Sequence, residues 1–268
     1  MSSGKKSSGG GFILIVILIA AVAVIGGRRW FSFDLSDLEP YTYEDTSSYF
    51  TGGGRAKAED VTAIEVNWLA GEVRVVRGGG DSIVWYDDAE SDAKDRDKLH
   101  WQLREDGTLK LLPAASGVRR RSAEKVLTVE LPSGYIPDTL SIDGQKASVL
   151  CDGLCVRLLT VSAVGAVTAE DTVAVNARLA SVSGPLTLGL TAEALTAENR
   201  SGSIGGRVCA SSLTVTTGSG NITLDLDKGL APSGTISSDS GNILLTVPDA
   251  DAGFLANVTV LGHAHIQS

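Results

Sequence analysis

The chain has 268 residues, 43% of them hydrophobic, with 32 acidic against 23 basic residues and a formal net charge of −9. All 32 acids follow Trp30, and without Lys5, Lys6, Arg28 and Arg29 only 19 basic residues remain to balance them. An acidic body of this kind argues against a nucleic-acid partner, which needs clustered cations to neutralise phosphates. Only Cys151, Cys155 and Cys209 are cysteines, so no disulfide framework is expected.

Residues 1–10, MSSGKKSSGG, read as a short cytoplasmic tail. Residues 12–25, FILIVILIAAVAVI, are uninterrupted apolar, and with flanking glycines the segment 11–27 reaches the lower limit for a membrane-spanning helix, about 17 residues. Lys5 and Lys6 precede it, Arg28 and Arg29 come after it, and Trp30 sits where an interfacial anchor belongs. The reading is an uncleaved signal anchor with the C-terminal bulk outside the cell. Ala21-Val22-Ala23 also resembles a signal-peptidase site, so a cleaved signal peptide is a competing reading, and an anchor with the bulk in the cytoplasm is a third. Residues 28–60 are polar and rich in Gly, Ser and Thr, a composition that predicts a juxtamembrane linker.

From Val61 strand-like runs begin: TAIEVNWL, EVRVVR, SIVWYDD, KLHWQLRE, TLKLLP and KVLTVELP, separated by turn signals such as Gly78-Gly79-Gly80-Asp81 and Asp106-Gly107. Three of the four tryptophans (Trp68, Trp85 and Trp101) fall here. Residues 61–138 therefore predict a β-rich N-terminal portion that caps the open end of the C-terminal repeats. Residues 87–97, DDAESDAKDRD, predict an acidic loop, and oxygen ligands abound there for calcium. No EF-hand spacing is present, and no metal is assigned. The run Arg119-Arg120-Arg121 is the one basic patch, expected in a loop between strands.

Residues 139–268 carry a repeat. Gly165, Gly184, Gly202, Gly220 and Gly241 recur at intervals of 19, 18, 18 and 21, inside the phrases SAVGAVTAE, SVSGPLTLG, NRSGSIGGR, TGSGNITLD and SDSGNILLT. A period near 18–20 marks a solenoid, whose coils bury their apolar faces only against neighbours. Two residues after the glycine stand Val167, Leu186, Ile204, Ile222 and Ile243. Four after stand Ala169, Leu188, Gly206, Leu224 and Leu245; six after, Asp171, Leu190, Val208, Leu226 and Val247. This is strand alternation, and before the glycine the opposite parity is apolar. The five glycines are therefore read as structural corners, with positive φ expected there. Ser162, Ser181, Asn199, Thr217 and Ser238, three before each glycine, predict an inward ladder that satisfies backbone groups at the corner. Ala147, 18 residues before Gly165, marks an earlier, eroded coil. The fold class is all-β: one β-solenoid, β-helix-like, behind a β-rich cap and one N-terminal transmembrane helix.

Catalytic signals are weak. His263 and His265 alternate on a strand and could present two metal ligands, but the sequence suggests no third. There is no G-x-S-x-G, no phosphate-binding glycine loop and no H-E-x-x-H. The outward column two before the glycine reads Ala163, Val182, Arg200, Gly218, Asp239, and that five after reads Glu170, Gly189, Arg207, Asp225, Thr246, with no adjacent carboxylates in either. No enzyme and no cofactor are expected. Cys155 and Cys209 should share a column about 14 Å apart, three coils at the strand spacing of about 4.8 Å, too far to bridge.

The phrase IEVNWLAGEVRVVRGGGDSIVWYDD (64–88), with SGSIGG, GSGNITLDL and DSGNILLTV after it, resembles the bacterial DUF4097 putative-adhesin family, over about 61–247. The resemblance implies a β-solenoid ectodomain on a single-pass anchor at the cell membrane, with an adhesin-like role at the envelope. It brings no catalytic residues. Two roles are open: a structural or adhesive module that contacts an envelope polymer, or a sensory ectodomain that works through a membrane protein partner.

Overall fold

The structure is a computed structural model, and it describes residues 40–43, 48–88, 93–119, 124–227, 232–248 and 257–267. The expected tail (1–10), transmembrane helix (11–27) and start of the linker (28–39) lie outside the described residues, as do Arg120 and Arg121. Among the described residues no helix is long and apolar enough to cross a membrane.

The described residues form seventeen strands. The first nine in chain order are β1 (Pro40–Tyr41), β2 (Phe50–Thr51), β3 (Gly54–Lys57), β4 (Ala63–Arg77), β5 (Ser82–Asp87), β6 (His100–Leu103), β7 (Thr108–Leu112), β8 (Val118–Arg119) and β9 (Glu124–Leu131). The others are β10 (Thr139–Asp152), β11 (Cys155–Ala163), β12 (Val167–Ser181), β13 (Leu186–Asn199), β14 (Ile204–Thr217), β15 (Ile222–Leu226), β16 (Ser233–Thr246) and β17 (Asn257–Gln267). From β4 through β10 to β17 every pairing is parallel, in a β-solenoid of about six turns.

The coils stack because each contributes the same inward columns. Val149, Val167, Leu186, Ile204, Ile222 and Ile243 stand in register, none more than 2% exposed. Leu159, Ala177, Leu195 and Leu213 form a second buried column on the other side of the glycine corner. Each such side chain stabilises the stack by about 1.5–3 kcal/mol for the larger aliphatics.

The solenoid begins earlier than position 139. β4 is already a coil, in parallel register with β10 from Ala63–Thr139 to Val76–Asp152, and Ala147 pairs with Gly71. β7 and β9 extend the stack by one parallel layer on β4. Antiparallel strands then cover that end: β6 on β7, β5 on β9, β2 on β6 and β3 on β5. The linker expected to run to residue 60 instead joins this cap from Pro40 onward. Tyr41 packs with Leu69 and Leu112 in a small core against Tyr43 and Tyr49. These tyrosines supply buried apolar surface that the surrounding polar composition concealed.

Two other expectations about the coils are corrected. The corner before Gly165 is one residue shorter than the rest, so Ala163, not Ser162, pairs with Ser181 in the inward ladder. Ala163 is 3% exposed. Likewise Val161 and Leu159 hold the core columns of that coil, in register with Leu179 and Ala177. Asp171 does not point inward. A bulge between Ala169 and Thr172 gives Asp171 a φ of 45° and puts it on the surface, while buried Thr172 pairs with Leu190. The extra residue restores inward parity without burying a carboxylate.

Candidate functional site

The five corner glycines form one column, but not for the conformation expected. None has positive φ; among the described glycines of the stack that conformation falls at Gly71, Gly153, Gly206, Gly234 and Gly262. The corner glycines are instead sites of close backbone approach. A Cβ added at Gly220 would overlap the carbonyl of Gly202, one at Gly241 that of Gly220, and one at Gly202 that of Gly184. At Gly184 the overlap is with Gly165 and Ala166, and at Gly165 with the carbonyl of Ala147, 2.7 Å away. Carbonyl oxygens thus occupy the space where side chains would begin.

The polar ladder satisfies those same carbonyls. Ser181 Oγ donates to Gly165 O (2.8 Å), Asn199 Nδ2 to Gly184 O (2.7 Å), Thr217 Oγ1 to Gly202 O (3.2 Å) and Ser238 Oγ to Gly220 O (3.1 Å). In return Asn199 Oδ1, Thr217 Oγ1 and Ser238 Oγ accept the N–H groups of Gly202, Gly220 and Gly241. All four side chains are at most 5% exposed. Each satisfies polar backbone that would otherwise be buried unpaired, at about 1–3 kcal/mol per group. The ladder is structural, not a ligand site.

Asp87, Asp88 and Asp95 of the acidic stretch all have partners within the chain. Asp87 pairs with Lys125, whose Nζ also donates to the carbonyls of Asp97 (2.9 Å) and Pro113 (2.6 Å) and lies 5.5 Å over the Trp68 ring. Asp88 accepts the Val126 N–H at 2.8 Å, and Asp95 pairs with Lys98 at 2.9 Å, which lowers the Asp95 pKa. Lys125 and Asp87 are both almost wholly buried, so this pair ties the cap's loops to the first coils. Residues 89–92 lie outside the described residues. Among the described residues no group of three His, Cys, Asp or Glu is placed to hold a metal.

His263 and His265 lie on β17, in register with Asn242 and Leu244. They line a shallow groove of about 430 Å³ together with Asn221, Thr223, Asn242 and Leu244. Among the described residues no acid or thiol lines it. The outer columns differ from expectation at one end: Asp152 pairs with Glu170, so two exposed carboxylates are neighbours there. The other outward column does not contain Ala163, which is a core residue. Burial pushes the Asp143 carboxyl up to about 6 and the Cys151 thiol up to about 12. Cys155 and Cys209 are free and share one column through Val173 and Thr191.

A feature not singled out in the sequence lies at the capped end. Phe50 stacks on Trp101 with centroids 4.7 Å apart, and Trp101 meets Trp85 edge-on at 4.9 Å. Phe50 is 62% exposed and Tyr86 on β5 is 44% exposed, its hydroxyl donating to Glu130 at 3.0 Å. The stack joins residues far apart in the chain, and β2 carries only two residues, so no periodicity announces it.

No family model matches the chain, and no curated protein matches it. Similar solved structures do exist. One is a putative adhesin from Bacteroides fragilis, 15% identical, covering 82% of this chain and 96% of that one, with a TM-score of 0.38. A putative lipid binding protein from Parabacteroides distasonis is 13% identical over 80% of this chain and 95% of that one, TM-score 0.43. A putative adhesin from Parabacteroides merdae is 14% identical over 82% and 95%, TM-score 0.38.

Proposed function

We propose that the chain is a membrane-anchored, extracellular β-solenoid of the DUF4097 type, which acts as an adhesin-like binding module at the cell envelope and not as an enzyme. The apolar run 12–25 supports the anchor, and the phrases shared with that family support the role. The observation that carries the binding reading is the exposed Phe50 ring on the Trp101 stack. Aromatic faces held flat by neighbours bind flat apolar surfaces, such as sugar rings of an envelope polymer, at low ordering cost.

The test is retention of the full-length membrane form on purified cell-wall polymer. Wild-type protein should be retained, and Phe50→Ser should weaken retention at least about fivefold, roughly 1 kcal/mol, with the melting temperature unchanged, because Phe50 is exposed. A stoichiometric membrane protein that co-purifies with unretained chain would contradict this reading and favour the sensory role.

A further inference from the structure

The cap closes one end of the stack; at the other, β17 is the last coil among the described residues. Ala264 and Ile266 of β17 stand in register with the core residues Ile243 and Leu245. Yet Ile266 is 56% exposed, and Leu261, in register with Ser237, is 55% exposed. Among the described residues only β16 pairs with β17, so every second backbone unit of this 11-residue strand faces outward without a partner strand. The strand carries no Asp, Glu, Lys, Arg or Pro, the residues that normally blunt an edge, although the chain as a whole is at −9.

The pattern of this edge is mirror-symmetric about Gly262 except at the flanking pair, Leu261 and His263. Two residues to either side stand Val260 and Ala264, and four to either side Val258 and Ile266, all apolar. Three to either side stand Thr259 and His265, and five to either side Asn257 and Gln267, all polar. Val260 is in register with buried Ile236, as Ala264 is with buried Ile243. Unlike the longer corner of β16, which spends Ser238–Gly241 on the turn, β17 turns on Gly262 alone and keeps one parity on both arms.

We propose that β17 pairs antiparallel with β17 of a second copy, on a two-fold axis at Gly262, and joins two solenoids end to end. In this register the apolar positions two and four residues from Gly262 meet apolar positions, the polar ones three and five away meet polar ones, Leu261 lies opposite His263 beside the axis, and the bend of one edge overlies the bend of the other. A slip of one residue would oppose apolar to polar along the whole edge. The uncharged strand lets two acidic molecules approach without like charges at the seam. Size sets the strength. Eleven residues span about 36 Å, and a layer about 10 Å thick gives roughly 360 Å² per partner, below the about 800 Å² of a standard interface. About ten backbone hydrogen bonds match a standard interface in number. The pair is therefore a weak, concentration-dependent dimer with a Kd in the micromolar range. This inference rests on β17 alone and stands or falls independently of wall binding.

Sedimentation of the full-length chain in mild detergent tests it. Wild type should pass from monomer to dimer between about 1 and 100 μM, and Ile266→Lys should weaken dimerisation at least about tenfold with an unchanged melting temperature, since Ile266 is already exposed. Because the N-terminal apolar segment is retained in both proteins, association through it would be indifferent to Ile266→Lys. The double variant Thr259→Cys, His265→Cys should form a reducible covalent dimer on mild oxidation. Monomers at about 100 μM, open-ended oligomers, or a dimer that neither responds to Ile266→Lys nor cross-links would overturn the proposal.

Discussion

Gly220→Ala should lower the unfolding free energy by more than about 3 kcal/mol, more than most single surface changes can produce. The reason lies in the stack. A Cβ at Gly220 would overlap the carbonyl oxygen of Gly202, with the carbonyl carbon 2.5 Å and the Ser203 nitrogen 2.9 Å away. All three neighbours are backbone. Relief would require two coils to part, against the β14–β15 ladder and the Thr217 bonds to both Gly202 O and Gly220 N. A left-handed φ would have made alanine a milder change, about 1 kcal/mol, but Gly220 is not among the positive-φ glycines. Ser219→Ala, one residue away and exposed, should change stability by less than about 0.5 kcal/mol. Urea unfolding of both variants decides it: a Gly220→Ala loss near about 1 kcal/mol would mean that the coils are not in close backbone contact there.

Ile222→Asp should cost more than about 4 kcal/mol. Ile222 is 0% exposed and stands between Ile204 and Ile243 in the central column. The substitution removes about 2–3 kcal/mol of apolar burial and adds an unpaired carboxyl among aliphatics. Asn221→Asp, one residue earlier, should cost less than about 1 kcal/mol. Asn221 is exposed, and its Oδ1, which accepts the Asn242 N–H at 2.9 Å, survives in the aspartate. Equal losses at the two positions, measured by the same unfolding, would reverse the assignment of inside and outside.

The range of each interaction decides what the sequence disclosed and what it hid. The columns Leu186–Ile204–Ile222–Ile243 and Ser181–Asn199–Thr217–Ser238 were legible because each coil repeats the same local choice, so periodicity adds up over the stack. Single-residue irregularities broke that reasoning. The shorter corner before Gly165 displaced Ser162 from the ladder, and the bulge at Asp171 changed parity within one strand. Close backbone approach and positive φ both select glycine, so the residue type alone did not tell them apart at Gly220. The cap was less legible because its contacts are long-range. Lys125 meets Asp87 across 38 positions, and Tyr43 and Tyr49 pack in a stretch that composition alone assigned to a linker. Nothing local in the two-residue strand at Phe50 pointed to its stack on Trp101.

The continuous stacking of coils is the claim on which the rest depends, and two native thiols measure it. Cys155 and Cys209 are free, half-buried and three rungs apart in one column, through Val173 and Thr191. Cys151 is fully buried, its thiol pushed up to about 12, and should not react. At about 4.8 Å per rung the two Cα atoms lie about 14 Å apart. Spin labels on Cys155 and Cys209 of the full-length chain should therefore give one narrow distance distribution, at roughly 15–25 Å once the label arms are included. A broad distribution, or one centred beyond about 40 Å, would contradict a solenoid in which β11 to β14 stack rung on rung.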